Sequence, residues 1–189
     1  FQPEKEDLQA VVQICRQVDG LPLAIELVAA RLNMFGVKEL ANKMGLQLLA
    51  LDSAEGGVPA RHQSVSALLD WSFDLLSSSE RLLLSRLSVF RGAFTLPAAE
   101  AVGVERGIDA DQVANGLASL VAKSLVSVVR DEEGSWFHFL CSTRAYAEER
   151  LAKFGEADST ARRHALYMCR LFEQAQRDWA NGARLKWLV

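Results

Sequence analysis

The sequence predicts a mainly α protein: a small helical unit, then three helices with a two-stranded β-hairpin, then a further helical stretch. Three observations predict it. Apolar residues recur at helical spacing along most of the 189 residues. Two helix starts carry capping-box pairs. Two short alternating segments flank a charged turn that ends in Gly134. The composition, 50% hydrophobic and 24% charged, is that of a globular chain and excludes a disordered tail, a collagen-like repeat or a small disulfide scaffold.

The first helix is expected over about Glu4 to Val18, with Leu8, Val11, Val12, Cys15 and Val18 at helical spacing and acidic residues in its first turn. Asp19-Gly20 breaks it, and Pro22 suits the first turn of the next helix. That helix, Leu23 to about Met34, is apolar nearly all round, so burial is expected. A short third helix runs from about Val37 to Met44. These elements form a helical unit over residues 1–50, and the small, polar, glycine-containing stretch that follows marks a linker over 51–63.

A helix over Ser64 to Leu76 places Val65, Leu68, Leu69, Ser72, Phe73 and Leu76 on one stripe. Ser77 with Glu80 caps the next, which turns Leu82, Leu83, Leu84, Leu87 and Val89 inward. Thr95 is the expected cap of a brief helix with Pro97 in its first turn. Asp109 with Gln112 opens a helix to about Lys123 that buries Val113, Leu117, Leu120 and Val121. The segments Leu125–Val129 and Ser135–Phe139 read as a hairpin. Three helices followed by a hairpin is the order of a winged helix, assigned to residues 64–155. Within it Cys141 to about Phe154 is helical, with Gly155 as breaker. Residues 156–189 hold a longer amphipathic helix, about Asp158 to Trp179, with Ala161, Ala165, Met168, Leu171, Phe172 and Ala175 on its apolar face. The opening at Phe1 and the apolar end Trp187-Leu188-Val189 suggest a piece of a longer protein.

Cys15, Cys141 and Cys169 each sit in an apolar helical pattern, which predicts buried free thiols in a reducing cytoplasm. No apolar run approaches the roughly 20 residues that span a bilayer, and no signal peptide is seen, so no membrane association is expected.

No Gly-Lys pair occurs, so the glycine-lysine phosphate cradle of P-loop proteins is absent from these residues. Neither a Gly-x-Ser-x-Gly elbow nor a His-Glu-x-x-His helix is present. His62, His138 and His164 lack metal-ligand spacing to the cysteines. The adjacent carboxylates Glu132-Glu133 and Glu148-Glu149 read as solvated turn and helix faces. No catalytic residue and no metal ligand is assigned, and the chain is not expected to be an enzyme on its own. A net charge of −3 argues against broad nucleic-acid binding. The third winged-helix helix, the one that enters the major groove in DNA readers, carries Asp109 and Asp111 against Lys123, and the wing tip adds Asp131, Glu132 and Glu133 against Arg130. Gln112 and Asn115 could touch base edges, but phosphate clamps are missing nearby, so this winged helix is expected to pack against protein.

The segment Gly20-Leu21-Pro22-Leu23-Ala24-Ile25-Glu26-Leu27, preceded by Val11-Val12-Gln13-Ile14-Cys15, resembles the GLPLA segment of NB-ARC-type STAND ATPases. The similarity continues through Arg61 to Leu76, Ser79-Glu80-Arg81, Leu87 to Leu96, Leu117 to Val126, and Thr143 to Leu151, in the order of the LuxR-like and SARP-like bacterial transcriptional regulators. The resemblance implies a helical domain and a winged-helix domain of an ADP/ATP-dependent switch, with the start of a TPR-like region at residues 156–189. It implies that Pro22 packs on adenine and that His138, in Phe137-His138-Phe139, reaches the β-phosphate of ADP from the place of a Met-His-Asp motif; Phe139 stands where that motif has aspartate. ADP or ATP would bind only together with a nucleotide-binding domain absent from these residues, and the full-length parent would be a slow ATPase. The partners implied are that domain and the TPR-like domain in the same chain, with self-association on activation. A DNA-binding winged helix and a protein-interaction scaffold are the alternative functions.

Overall fold

The computed structural model describes residues 7–18, 22–32, 35–43, 60–105, 107–131 and 134–180. Helix α1 covers Leu8–Gln17, α2 Pro22–Ala29 and α3 residues 37–43. The expected start of α1 at Glu4 and the 51–59 part of the linker lie outside the described residues, as do the wing-tip Glu132-Glu133 and the C-terminal Trp187-Leu188-Val189. Pro22 stands at the first position of α2, where its missing N–H costs no helical bond. The helix ends at Ala29, short of the expected Met34. Its last turn tightens into three-residue bonds, Arg31 N–H to the Val28 carbonyl at 3.0 Å and Leu32 N–H to that of Ala29 at 3.1 Å.

Helix α4, Ala60–Asp74, starts ahead of the expected Ser64. It is followed by α5 (Ser78–Leu87), α6 (Leu96–Gly103), α7 (Ala110–Ala122), strands β1 (Ser127–Asp131) and β2 (Gly134–His138), α8 (Cys141–Lys153) and α9 (Ala157–Ala180). The winged helix predicted from sequence is therefore present. Both capping boxes form, Ser77 with Glu80 and Asp109 with Gln112. Thr95 has the extended N-cap backbone but makes no side-chain cap bond, contrary to expectation.

The strands pair antiparallel, Ser127 opposite His138 and Asp131 opposite Gly134. Phe94 adds a third rung by exchanging two 2.8 Å backbone bonds with Phe137. The first strand begins two residues later than the alternation suggests, because Leu125 and Val126 are buried below the end of α7 instead. There Ser124, at φ +56°, lets Leu125 N–H reach the Leu120 carbonyl and its own N–H reach that of Val121. This is a Schellman ending without glycine. Gly155, at φ +71°, ends α8 in the same way.

One apolar core runs from Ile14, Val18 and Leu27 through Leu40 and Leu68 to Leu84, Leu120 and Ala147. The helical unit joins it where α2 packs on α4 and where Phe35 stacks on Trp71, centroids 6.3 Å apart. Deep in the winged helix, Gly103 and Gly116 approach Leu83 so closely that an added Cβ would lie 2.9 and 2.7 Å from its methyls. The cysteines depart from expectation. All three are free, but Cys15 is half-buried and Cys141 and Cys169 are exposed, because their helices turn other positions inward.

Helix α9 turns only part of its expected apolar face inward. Thr160 is buried, Arg163 hydrogen-bonds the Val102 carbonyl and pairs with Glu105, and His164 meets Phe90 edge-on at 5.0 Å. Burial lowers the His164 pKa from its ordinary value. Of the expected apolar face, Met168, Leu171 and Ala175 are half-buried, whereas Ala161, Ala165 and Phe172 point out, Phe172 at 67% exposure. Among the described residues no helix is long and apolar enough to cross a membrane.

Candidate functional site

In a winged helix the third helix and the wing form the face that meets a partner, and here that face is α7 with β1 and β2. Val113, Leu117 and Leu120 anchor α7 in the core, which leaves Asp111, Asn115, Ala118 and Ala122 on its outer side. A cleft of about 230 Å³ separates α7 from the wing, lined by Ala114, Val121, Val128 and Phe137 together with Arg130. The exposed side of α7 therefore offers methyl groups, the amides of Gln112 and Asn115 and the acid Asp111, with Arg130 and Asp131 exposed on the wing.

The lysine of α7 is turned away from that face. Lys123 Nζ donates to Glu80 Oε1 at 2.5 Å, and Ser119 Oγ donates to the same oxygen at 2.5 Å. The other oxygen, Oε2, accepts the Ser77 amide at 2.8 Å. Burial alone would raise the Glu80 carboxyl, but the hydrogen bonds from Lys123, Ser119 and Ser77 hold it down at about 2. The capping-box glutamate of α5 is thus also the clamp on α7. Sequence reading found only its local partner, since Lys123 lies 43 residues away and no periodicity links the two.

Arg31, at the turn after α2, is 2% exposed, and its Nε and Nη2 find no hydrogen-bond partner among the described residues. Burial lowers its pKa, and the charge of Glu80 opposes that shift. The signal in the sequence was a single arginine inside an otherwise apolar helix.

Pro22 is exposed at the start of α2, whose other face packs on α4. His138 is half-buried at the last position of β2, beside the Phe94–Phe137 rung. Phe139, where the resembled motif has aspartate, packs its ring 6.1 Å from that of Phe94. Pro22 and His138 are thus carried by different layers, one by the helical unit and one by the wing. His62 lies in α4, and nothing is described of its side chain. Glu148 and Glu149 are exposed, and Glu148 accepts from Arg144 at 3.0 Å, as a solvated helix face would. No group of three metal-ligating side chains occurs among the described residues.

Comparison with known proteins agrees with this architecture. Residues 76–152 match the family described as Winged helix-turn-helix domain, the span from the end of α4 to the end of α8. The chain is 37% identical over 159 residues to an uncharacterised protein of Mycobacterium tuberculosis, covering 84% of this chain and 40% of that one. It is 40% identical over 159 residues to a Mycobacterium tuberculosis protein named as a candidate HTH-type transcriptional regulator, covering 84% of this chain and 18% of that one. A Mycobacterium bovis protein with the same kind of name matches equally. The chain thus spans well under half the length of these relatives. Residues 76–152 form a winged helix-turn-helix domain.

Proposed function

We propose that this chain is the regulatory part of a bacterial STAND-type (NB-ARC-like) transcriptional regulator, in which the helical unit and the winged helix form one side of an ADP/ATP-dependent clamp. The observation that carries it is the inward lock of Lys123 on Glu80. It removes the cation of α7 from the face where a DNA reader needs phosphate contacts, and it ties the end of that helix to the first turn of α5. Two further features support the reading. Leu8 and Val12 of α1 stand 50% and 46% exposed on one face of the helical unit, an apolar surface that a preceding nucleotide-binding domain would cover. Pro22 stands at the first position of α2 and His138 at the last of β2.

In this reading Pro22 offers its ring to adenine and His138 a ring N–H to the β-phosphate. The nucleotide, the hydrolytic groups and the phosphate cradle come from polypeptide outside these residues, and α9 opens a TPR-like signal-receiving region. A switch of this kind operates only if ADP binds the closed arrangement better than the open one. The test is to purify the protein together with its upstream polypeptide, extract the bound nucleotide and identify it. Close to one ADP per chain is expected; a nucleotide-free protein that takes up neither ADP nor ATP contradicts the reading.

Direct DNA binding is the second reading, favoured by the family match and the relatives' names. It rests on Gln112 and Asn115, both exposed on α7. Retardation of DNA at low salt that Gln112→Ala and Asn115→Ala abolish would establish it; a protein-interaction scaffold would show neither nucleotide nor DNA.

A further inference from the structure

Away from the α7 face, a cavity of about 470 Å³ opens where the end of α4, the start of α5 and the end of α8 meet. Its size falls within the range of ligand pockets, about 300–1,000 Å³. Two aromatic rings form its walls, Phe73 and Phe154, with centroids 6.4 Å apart and planes 28° from parallel. Phe73 is buried, whereas Phe154 leaves 46% of its surface exposed beside the opening.

Three cations border the same cavity: Arg81, Arg150 and Lys153. The Arg81 and Arg150 guanidiniums lie 5.5 and 5.3 Å from the Phe73 ring centre. Arg81 donates to the Phe73 and Leu76 carbonyls at 3.0 Å, which fixes the head without neutralising it. Arg150 pairs with Asp70. Lys153 is exposed and has no ionic partner among the described residues. Against these cations stand Asp70 and the exposed Asp74, so the three positive charges exceed the two negative ones by one, in a chain whose net charge is −3. The first turn of α5 borders the cavity at Ser78, beside the capping box of Ser77 and Glu80, whose carboxylate is turned to Lys123 and Ser119.

Aromatic walls beside an uncompensated cation select for a flat apolar body that carries a negative group. A neutral aromatic would leave the charge unanswered, and a bare inorganic anion would leave the rings in water. We infer that this cavity binds a small organic anion with an aromatic body, its ring against Phe154 and its carboxylate or phosphate among Lys153, Arg150 and the first turn of α5. The site uses neither Pro22 nor His138, so it stands apart from the proposed nucleotide clamp.

The test titrates the 189-residue chain with naphthalene-2-carboxylate and follows backbone amide shifts by NMR, with naphthalene-2-methanol and inorganic phosphate as comparison probes. The expected result is saturable binding of the carboxylate with shifts centred on Ser78, Lys153 and Phe154, weakened by salt, and much weaker binding of the other two probes. Lys153→Glu and Phe154→Ala alter exposed side chains, and each is expected to weaken binding by roughly fivefold or more while thermal unfolding stays close to the parent. Absence of saturation, or a carboxylate affinity that neither substitution moves, would overturn the inference. So would a neutral alcohol or a free phosphate that binds as tightly as the carboxylate.

Discussion

Glu80 caps α5 with one carboxylate oxygen and holds Ser119 of α7 and Lys123 at its end with the other. Its carboxyl sits at about 2 in the folded chain, below the ordinary value of 4.5, so the folded state binds the proton less readily than the unfolded chain. The stability this contributes is fully present above about pH 4.5 and disappears as pH falls toward 2. Because the group is partly solvated, a contribution of about 1–2 kcal/mol is expected near neutrality. Urea unfolding of the parent and of Glu80→Gln should differ by that amount at neutral pH and converge near the acid limit. A difference that stays constant across the range would mean that the hydrogen bonds do not depend on the charge. Tyr146 shows the opposite direction: burial and its bond to Asp70 at 2.7 Å raise its phenol well above the usual value, so it stays a donor throughout.

Within single elements, local chemistry decided most outcomes, and the exceptions have identifiable causes. Both capping boxes, the Gly155 stop and the hairpin were legible because each is written in residues three or four apart. The misplaced start of β1 was not, because the turn that precedes it depends on Ser124 in a left-handed conformation that serine seldom signals. Ser124→Gly removes that conformational cost while keeping both Schellman bonds, so a gain of about 0.5 kcal/mol is expected in thermal or urea unfolding. A loss on that substitution would show that the serine side chain itself stabilises the turn. The inward face of α9 was legible only in part. Met168, Leu171 and Ala175 are half-buried as the apolar pattern suggests, but Arg163 bonds the Val102 carbonyl of α6 and also donates to Thr160 Oγ1, and Ala161, Ala165 and Phe172 point outward. Of the candidate site, the sequence displayed the acidic bias of α7 and the wing. It did not display the Lys123–Glu80 ion pair, which joins elements that are distant in the chain.

For the whole molecule, the joints between units matter most. Arg86, 1% exposed, bonds Glu156 at 2.7 and 3.1 Å and the Gly103 carbonyl at 2.8 Å, tying α5 to α6 and to the turn that leads into α9. Removing one partner of such a buried pair strands the other, so Arg86→Ala should cost about 3 kcal/mol and speed amide exchange in α9 ahead of the rest. Unchanged exchange in α9 would mean that Arg163 alone holds it. The same logic of joints underlies the functional proposal, in which the helical unit and the wing each bring one group to a nucleotide. The most direct measurement of that claim is the rate at which ADP leaves the protein when it is joined to its nucleotide-binding polypeptide, compared among the parent, Pro22→Ala and His138→Ala. Each substitution is expected to speed release by roughly tenfold, the worth of one good contact. Release rates that match the parent in both variants would show that neither the α2 proline nor the wing histidine touches the nucleotide, and would contradict the clamp.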